Sequence, residues 1–151
     1  PARVDINDVI RRLEVTFAPF FRGRRVTPDF QLSPGNPFLR GTEAAVESIV
    51  TNFINNSLHA LESRHGERKI RIATEVHGDV VHIIVDDNGP GIELDEKEIW
   101  LPGQTSKSNG TGLGLTIVKD TVLDLSGDVA AESKGPLGGA RFRVELPILG
   151  A

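Results

Sequence analysis

Residues 80–91 read VVHIIVDDNGPG and combine an apolar, β-branched run with a sharp turn. The run over residues 80–85 predicts a β-strand, since β-branched residues favour extended backbone. The turn contains carboxylates, an amide and two glycines, and glycine lets the backbone approach a ligand without interference from a Cβ atom. The stretch predicts a strand that ends in a binding turn, although Asp, Asn, Gly and Pro are also the residues of any ordinary turn.

The elements around this strand alternate between helices and strands. Asp5 and Thr42 are the expected caps of two helices, and Pro19 and Gly23 mark the end of the first. Pro28 cannot donate a ladder hydrogen bond, so the first strand is expected at a sheet edge. Helices are predicted over residues 5–18, 42–62, 93–100 and 113–125, and strands over 26–32, 70–76, 80–85, 129–133 and 140–146. This pattern predicts a two-layer α/β sandwich, with helices on one face of a mixed, mostly antiparallel sheet of about five strands.

Length and composition describe one globular domain. The chain has 151 residues and a net charge of −4, which gives no general affinity for nucleic acid or an anionic membrane. It contains no cysteine, which suits a cytoplasmic protein, and no apolar run approaches the roughly 20 residues that cross a bilayer. Because the chain opens on Pro1 and stops just after a strand, we expect a domain of a longer parent, which can itself be membrane-anchored.

The long second helix contains the sequence NFINNS at residues 52–57. Asn52 and Asn56 are four residues apart and therefore lie on the same face. An amide oxygen suits Mg²⁺ and adds no charge that would repel phosphates. Side chains that simply face solvent are the alternative, but asparagine is a mediocre helix former, and three in five positions favour a functional role.

The turn after residue 85 offers a second kind of contact. A carboxylate at a strand end, such as Asp87, can accept a hydrogen bond from the exocyclic amine of adenine. Asp86 and Asp87 also suggest a metal pair, but no histidine or third carboxylate completes a recognisable ligand set.

A third motif, Gly110-Thr111-Gly112-Leu113-Gly114-Leu115, opens the last predicted helix. Glycines at a helix N-terminus present free N–H groups and the positive end of the helix dipole to an anion, and Lys107 adds a positive charge just upstream. The motif is neither a Walker loop nor a dinucleotide fingerprint, because the lysine precedes the glycines and no strand leads directly into them. It therefore predicts a phosphate contact of another type.

In this order, the three motifs resemble the catalytic ATP-binding domain of sensor histidine kinases, within the superfamily of gyrase, Hsp90, histidine kinase and MutL (GHKL). The resemblance extends over nearly the whole chain and implies a Bergerat-type ATP-binding fold with ATP and Mg²⁺ as ligands. Residues 52–57 resemble the N box, which implies that Asn56 is the Mg²⁺ ligand. Residues 87–91 resemble the G1 box, which implies that Asp87 recognises adenine. Residues 110–114 resemble the G2 box beside the phosphates, and residues 99–107 resemble the F box and ATP lid.

The resemblance implies a set of site residues. Those implied to act in catalysis are Asn52, Asn56 and Lys107. Those implied to contact the nucleotide are Asn52, Asn56, His59, Asp87, Gly89, Gly91, Ile92, Lys107, Gly110, Thr111, Gly112, Leu113 and Gly114.

The chain departs from the family pattern at two places. Trp100 stands where phenylalanine is usual, and Gly103 and Gln104 replace further aromatic or apolar residues, so the lid is expected to pack weakly and to order only with nucleotide. His59 occupies a position where many such kinases carry a lysine that contacts phosphate.

The residues favour phosphoryl transfer over hydrolysis. In the hydrolysing branches of the superfamily a glutamate lies four residues before the magnesium-binding asparagine, and here that residue is Asn52. Glu47 is nine residues before Asn56, on the opposite side of the helix. A nucleophile brought by another domain needs positioning more than a base from this one.

The expected partners follow from the same resemblance. The histidines at positions 59, 65, 77 and 82 all lack the sequence context of a phosphoacceptor. A histidine-bearing dimerisation domain elsewhere is therefore expected, with a response regulator downstream. Two alternatives stay open, namely a serine kinase of the anti-sigma type and a nucleotide-binding scaffold without catalysis.

Overall fold

The computed structural model of the chain describes residues 2–102 and 114–150. The α-helices are Ile6–Gly23 (α1), Glu43–Leu61 (α2) and Gly114–Asp124 (α3), and Glu98–Trp100 forms a 3₁₀-helix. The strands are Ala2–Asp5 (β1), Val26–Gln31 (β2), Phe38–Gly41 (β3), Arg68–His77 (β4), Val80–Asp87 (β5), Asp128–Glu132 (β6) and Arg141–Pro147 (β7). Within these ranges, no helix is both long enough and apolar enough to cross a bilayer.

The main sheet confirms the predicted mixed, mostly antiparallel architecture. Its five strands lie in the order β2-β4-β5-β7-β6, with β2 parallel to β4 and every other neighbouring pair antiparallel. β2 lies at an edge, as expected from Pro28. The helices pack on one face of this sheet, which confirms the two-layer sandwich.

Strand β7 shows how the two faces of the sheet differ. Phe142, Val144 and Leu146 are buried against the helices, whereas the residues between them are partly exposed on the other side. We call this second side the open face; it carries Arg141, Arg143 and Glu145 of β7 together with the residues paired with them on β5 and β6. Charged side chains gather there because the helices do not cover it.

Helix α2 is fixed on the sheet by aromatic packing. The ring of Phe53 stacks on Phe142 with centroids 5.4 Å apart, and Trp100 meets both rings edge-on at 6.4 Å. The predicted caps also form: Asp5 accepts a hydrogen bond from the Asp8 amide at 3.0 Å, and Thr42 accepts one from the Ala45 amide at 3.1 Å. The start of α2 and its contact with the sheet are therefore both defined.

Two predicted helix bounds were wrong. Helix α1 runs through Pro19 to Gly23 because Phe17 and Phe21, one turn apart on either side of the proline, are both buried, and their packing outweighs the lost backbone hydrogen bond. The helix predicted over residues 93–100 shrinks to Glu98–Trp100, since the Asp95 side chain accepts from the Lys97 amide at 2.8 Å and stabilises a turn instead.

A small second sheet was not predicted. Strands β1 and β3 pair antiparallel, with Ala2 opposite Gly41 and Asp5 opposite Phe38. Each strand has only four residues, which is too short for an alternating pattern to stand out in the sequence.

Candidate functional site

The Asp87 carboxylate at the end of β5 joins three parts of the fold. It is 1% exposed. Its Oδ2 accepts a hydrogen bond from the Ser57 hydroxyl of α2 at 2.7 Å, and its Oδ1 accepts from the backbone amides of Gly89 at 2.9 Å and Ala140 at 3.2 Å. One side chain therefore holds the C-terminal part of α2, the turn after β5 and the start of β7 in a fixed arrangement.

The environment of Asp87 leaves room for one more donor. Burial raises the pKa of Asp87, and the hydrogen bonds from Ser57, Gly89 and Ala140 oppose that rise without cancelling it. A carboxylate has about four acceptor positions, and the three donors within the described part of the chain leave one on Oδ2. A ligand N–H group can fill that position.

Gly139 allows the close approach that this arrangement needs. Its amide donates to the Asp87 carbonyl oxygen at 3.0 Å, and a Cβ atom at this position would lie 2.5 Å from the Gly89 nitrogen. No side chain fits there, so the loop before β7 and the turn after β5 can touch only through a glycine.

The rest of the turn is tied to the neighbouring strands. Asn88 accepts from the Lys69 amide at 2.7 Å and donates to the Glu67 carbonyl oxygen at 3.0 Å. Gly91 has a φ of +89°, and the amide of Ile92 donates to the Ser133 carbonyl oxygen at 3.3 Å. Predicted site residues 87, 89, 91 and 92 therefore form one rigid turn.

The N-terminus of α3 lies against Asn52. The Asn52 side chain donates to the Ser48 carbonyl oxygen at 2.7 Å, and a Cβ atom on Gly114 would lie 2.8 Å from Asn52 Oδ1. The last glycine of the third sequence motif thus meets the first asparagine of the helix motif.

Asn56 retains unused hydrogen-bonding capacity. Its Nδ2 atom is buried and has no hydrogen-bond partner in the described part of the chain. Buried side-chain polar atoms are nearly always paired, so such an atom indicates a place where a ligand completes the site. Because no group among the described residues holds the nitrogen, the amide can turn and present its oxygen to a cation.

The sequence motifs meet along a single face of α2. In chain order the neighbours are Gly114 beside Asn52, Asp87 beside Ser57, and Gly89 beside Ala60. Eight residues of helix span about 12 Å. This face of α2 is therefore an elongated surface with a carboxylate towards one end and a helix N-terminus at the other, which suits an elongated ligand with an N–H donor and an anionic tail.

The remaining predicted site residues are His59 and a group that lies outside the described residues. His59 lies in the last turn of α2 with Nδ1 3.7 Å from Glu62 Oε1, and its contact with phosphate stays a prediction. Lys107, Gly110, Thr111, Gly112 and Leu113 lie outside the described residues, as do Gly103 and Gln104.

The segment that begins the predicted lid packs more firmly than expected. Trp100 is buried between Phe53 and Phe142, and its carbonyl oxygen accepts from the Thr116 hydroxyl of α3 at 3.0 Å. The expectation of weak packing was wrong for this residue, because the larger indole ring fills the space between two phenylalanines.

Asp86 does not form a metal pair with Asp87. Successive strand residues point to opposite faces, so Asp86 lies on the open face. There Arg141 Nε lies 2.7 Å from Asp86 Oδ1, and Arg71 Nη2 lies 3.0 Å from Oδ2. The carboxylate is fully used by two guanidinium groups.

Ser57, Gly139 and Ala140 also belong to the site, although they were not among the site residues predicted from the sequence. Ser57 carries a recognisable signal, since it lies four residues after Phe53 and four before Leu61 and thus interrupts the apolar stripe of α2 with a hydroxyl. Gly139 and Ala140 have no local signal, because their role depends on the pairing of β7 with β5.

Comparison with known proteins identifies the family of the chain. Residues 41–150 match the family described as histidine kinase-, DNA gyrase B-, and HSP90-like ATPase. The sensor histidine kinase CpxA of Escherichia coli strain K12 is 36% identical over 133 residues, covering 83% of this chain and 27% of CpxA. The alginate biosynthesis sensor protein KinB of Pseudomonas aeruginosa is 31% identical over 152 residues, covering 97% of this chain and 24% of KinB. The chain spans about a quarter of the length of these curated relatives.

Solved structures resemble the fold over its full length. The nucleotide-free catalytic domain of histidine kinase ThkA has a TM-score of 0.84 at 26% identity, covering 97% of this chain and 94% of that one. Full-length ShkA in complex with AMPPNP has a TM-score of 0.83 at 25% identity, covering 99% of this chain and 31% of ShkA.

Replacing Asp87 by Asn is expected to keep the fold and to change its pH dependence. The Asn oxygen can accept from the Gly89 and Ala140 amides, and its nitrogen can donate to the Ser57 hydroxyl. Because the pKa of Asp87 is raised in the folded state, its contribution to stability is complete below the unfolded pKa of about 3.9 and is lost as the pH rises through the folded value. The free energy of unfolding of Asp87→Asn relative to wild type should therefore increase from pH 4 towards neutral pH, as measured by urea denaturation.

Asp86→Asn is the matched control one residue away. It removes a charge that faces two guanidinium groups and should lower the free energy of unfolding by about 2–3 kcal/mol at pH 7. An equal destabilisation of the Asp87→Asn variant at pH 7 would contradict the hydrogen-bond exchange described for that site.

Proposed function

We propose, from the premise that the chain belongs to the family of histidine kinase-, DNA gyrase B- and HSP90-like ATPases, that it holds Mg-ATP and donates the γ-phosphoryl group to a histidine on a separate dimerisation domain. That domain would belong to a longer sensor kinase, with a response regulator as the next phosphoacceptor. The ATP-binding domain would work in the cytoplasm, whether or not the parent is anchored in a membrane.

The buried carboxylate of Asp87 is the observation that carries this proposal. Its remaining acceptor position matches the 6-amino group of adenine, which donates a hydrogen bond. A 6-oxo purine would place a carbonyl oxygen there and leave two acceptors facing each other in a buried site. The site thus favours adenine over guanine or hypoxanthine.

The other end of the α2 face fits the phosphates. Asn52 and Asn56 provide polar groups without negative charge, and Gly114 marks a helix N-terminus whose dipole favours anions. The buried amide nitrogen of Asn56 has no partner among residues 2–102 and 114–150, so the amide can turn its oxygen towards Mg²⁺. When bound, the ion supplies neutralisation of phosphate charge, and the residues of α2 set its position.

The absence of a nearby base on α2 favours transfer to a protein nucleophile. The position that would hold a water-activating glutamate is Asn52, whose side chain donates to Ser48. Glu47 is exposed. Glu43 raises the pKa of Arg12 on α1, and the charge of Glu47 adds to this effect. The charge of the Glu47 carboxylate therefore acts towards Arg12 and away from the side of α2 that carries Asn52 and Asn56. An imidazole acceptor carries its own lone pair and needs only positioning and charge neutralisation.

The Asp87→Asn variant is expected to reverse the base preference. Its new N–H group would oppose the adenine amine but donate to a 6-oxo group. We expect wild-type protein to bind ATP more tightly than inosine triphosphate, and the variant to lose about 10- to 100-fold in ATP affinity while gaining relative affinity for inosine triphosphate. Calorimetric titration with both nucleotides measures this, and unchanged ATP affinity in the variant would refute adenine recognition by Asp87.

Asn56→Ala is expected to remove the effect of magnesium on nucleotide binding. Affinity for a non-hydrolysable ATP analogue should fall about 10-fold with Mg²⁺ present and change little in its absence, because only the metal contact is lost. Asn55→Ala is the control, since Asn55 is the exposed neighbour on the same helix. Equal loss with and without the metal in Asn56→Ala would contradict a ligand role.

Transfer to histidine is tested with the parent protein and γ-labelled ATP. The proposal expects label on the dimerisation domain that is lost in acid and stable in alkali, as for phosphohistidine, and little free phosphate from the isolated chain. Acid-stable label on a partner's serine would instead support a kinase of the anti-sigma type. Nucleotide binding without any transfer would support a scaffold.

A further inference from the structure

A cluster of histidine and glutamate side chains lies on the open face, away from α2. Glu75 and His77 belong to β4, His82 to β5 and Glu145 to β7. His82 is paired directly with Glu75 on one side and with Glu145 on the other, and His77 is two residues beyond Glu75 and so shares its face. Three adjacent strands therefore direct four potential metal ligands to one place.

The atoms of the cluster are close enough to share an ion. One ring nitrogen of His77, one of His82 and a carboxylate oxygen of Glu75 all lie within 4.8 Å of one another. The two imidazole rings have centroids 4.6 Å apart. Ligand atoms around a tetrahedral zinc ion lie about 3.4 Å apart, given bond lengths of about 2.1 Å. Small rotations of the exposed Glu75 and His77 side chains are enough to bring ligand atoms that lie within 4.8 Å of one another to a spacing of about 3.4 Å.

The carboxylates hold both imidazoles in place. His77 Nε2 lies 3.1 Å from Glu75 Oε1, and His82 Nε2 lies 2.9 Å from Glu145 Oε1. Carboxylates that bond to histidines orient the rings of metal sites and strengthen their basicity. Asp128 of β6 is paired with Glu145 and brings a third carboxylate to this part of the open face, which favours a cation.

We propose that Glu75, His77 and His82 bind a transition-metal ion of the zinc class, with Glu145 orienting His82. Two imidazoles and a carboxylate without a thiol suit Zn²⁺, Ni²⁺ or Cu²⁺, whereas Mg²⁺ and Ca²⁺ prefer oxygen ligands. Three protein ligands leave a position for water. Because Glu75 and His77 are about half exposed, the ion exchanges with solvent.

This site is separate from the nucleotide site. His82 precedes Asp87 by five residues on the same strand, a distance of about 17 Å, and the two side chains lie on opposite faces of the sheet. The ion would link β4 to β5 beside the hairpin turn at residues 78–79. The ion would therefore stabilise the end of β5 that is distant from Asp87. Its binding does not require the proposed kinase activity.

The test is a calorimetric titration of the tag-free chain with zinc chloride, without nucleotide or magnesium. We expect one ion per chain with low-micromolar affinity, and at about 100 times the Kd a rise in Tm of about 5–10 °C. His77→Ala and His82→Ala should each weaken zinc binding at least about tenfold. His65→Ala, which removes an exposed histidine outside the cluster, should bind zinc like wild type.

Three results would overturn the site. They are no saturable zinc binding by the wild type, wild-type affinity in both His77→Ala and His82→Ala, and loss of zinc binding in Asn56→Ala, which would move the ion to α2. His77 is exposed, so His77→Ala keeps the test valid if His82→Ala fails to fold. Circular dichroism without metal checks that each variant is folded.

Discussion

The buried carboxylate of Asp87 is the interaction on which the site depends. Burying a charge is unfavourable, and here burial raises its pKa despite three hydrogen bonds. Those bonds come from α2, from the turn after β5 and from the start of β7, so the group that is costly to bury also brings these segments together. Gly139 is required for the same reason, since the loop must pass directly against the turn. A buried carboxylate that is unfavourable for stability and that keeps one hydrogen-bond acceptor position for a ligand is typical of a residue selected for function.

The neighbouring residues Asp86 and Asp87 have different roles because successive side chains of a β-strand point to opposite faces of the sheet. Asp86 is neutralised by Arg71 and Arg141 on the open face and helps to hold β4, β5 and β7 in register. Asp87 faces α2 and keeps a free acceptor position. The histidine–glutamate cluster follows the same rule, since His82 shares the face of Asp86. One strand thus carries two chemically distinct surfaces, one for a nucleotide and one for a metal ion.

Helix α2 sets the distances within the nucleotide site. Its aromatic contact through Phe53 fixes it on the sheet, and the face that meets Gly114, Asp87 and Gly89 runs from Asn52 past Ser57 to Ala60. Positioning is the main contribution that a protein makes to phosphoryl transfer, because the chemistry needs little beyond alignment and charge neutralisation. In the proposed transfer, helix α2 would supply the alignment, with its neutral amides beside the N-terminus of α3, and the nucleophile would come from a partner domain.

The sequence alone determined the elements whose signals are local. The strand at residues 80–85 and its glycine turn, the caps Asp5 and Thr42, the edge position of β2 and the shared face of Asn52 and Asn56 all follow from spacing and residue type, and the order of the motifs indicated the family. Only the tertiary structure decided the contacts of Asp87 with Ser57 and Ala140, the contact of Asp86 with Arg141, and the contact of His82 with Glu145. These contacts depend on which elements are neighbours and on the strand register, and residues 30 to 63 positions apart carry no local pattern for that. The continuation of α1 through Pro19 has the same cause, since burial of Phe17 and Phe21 in the assembled core overrides a local helix-breaking signal.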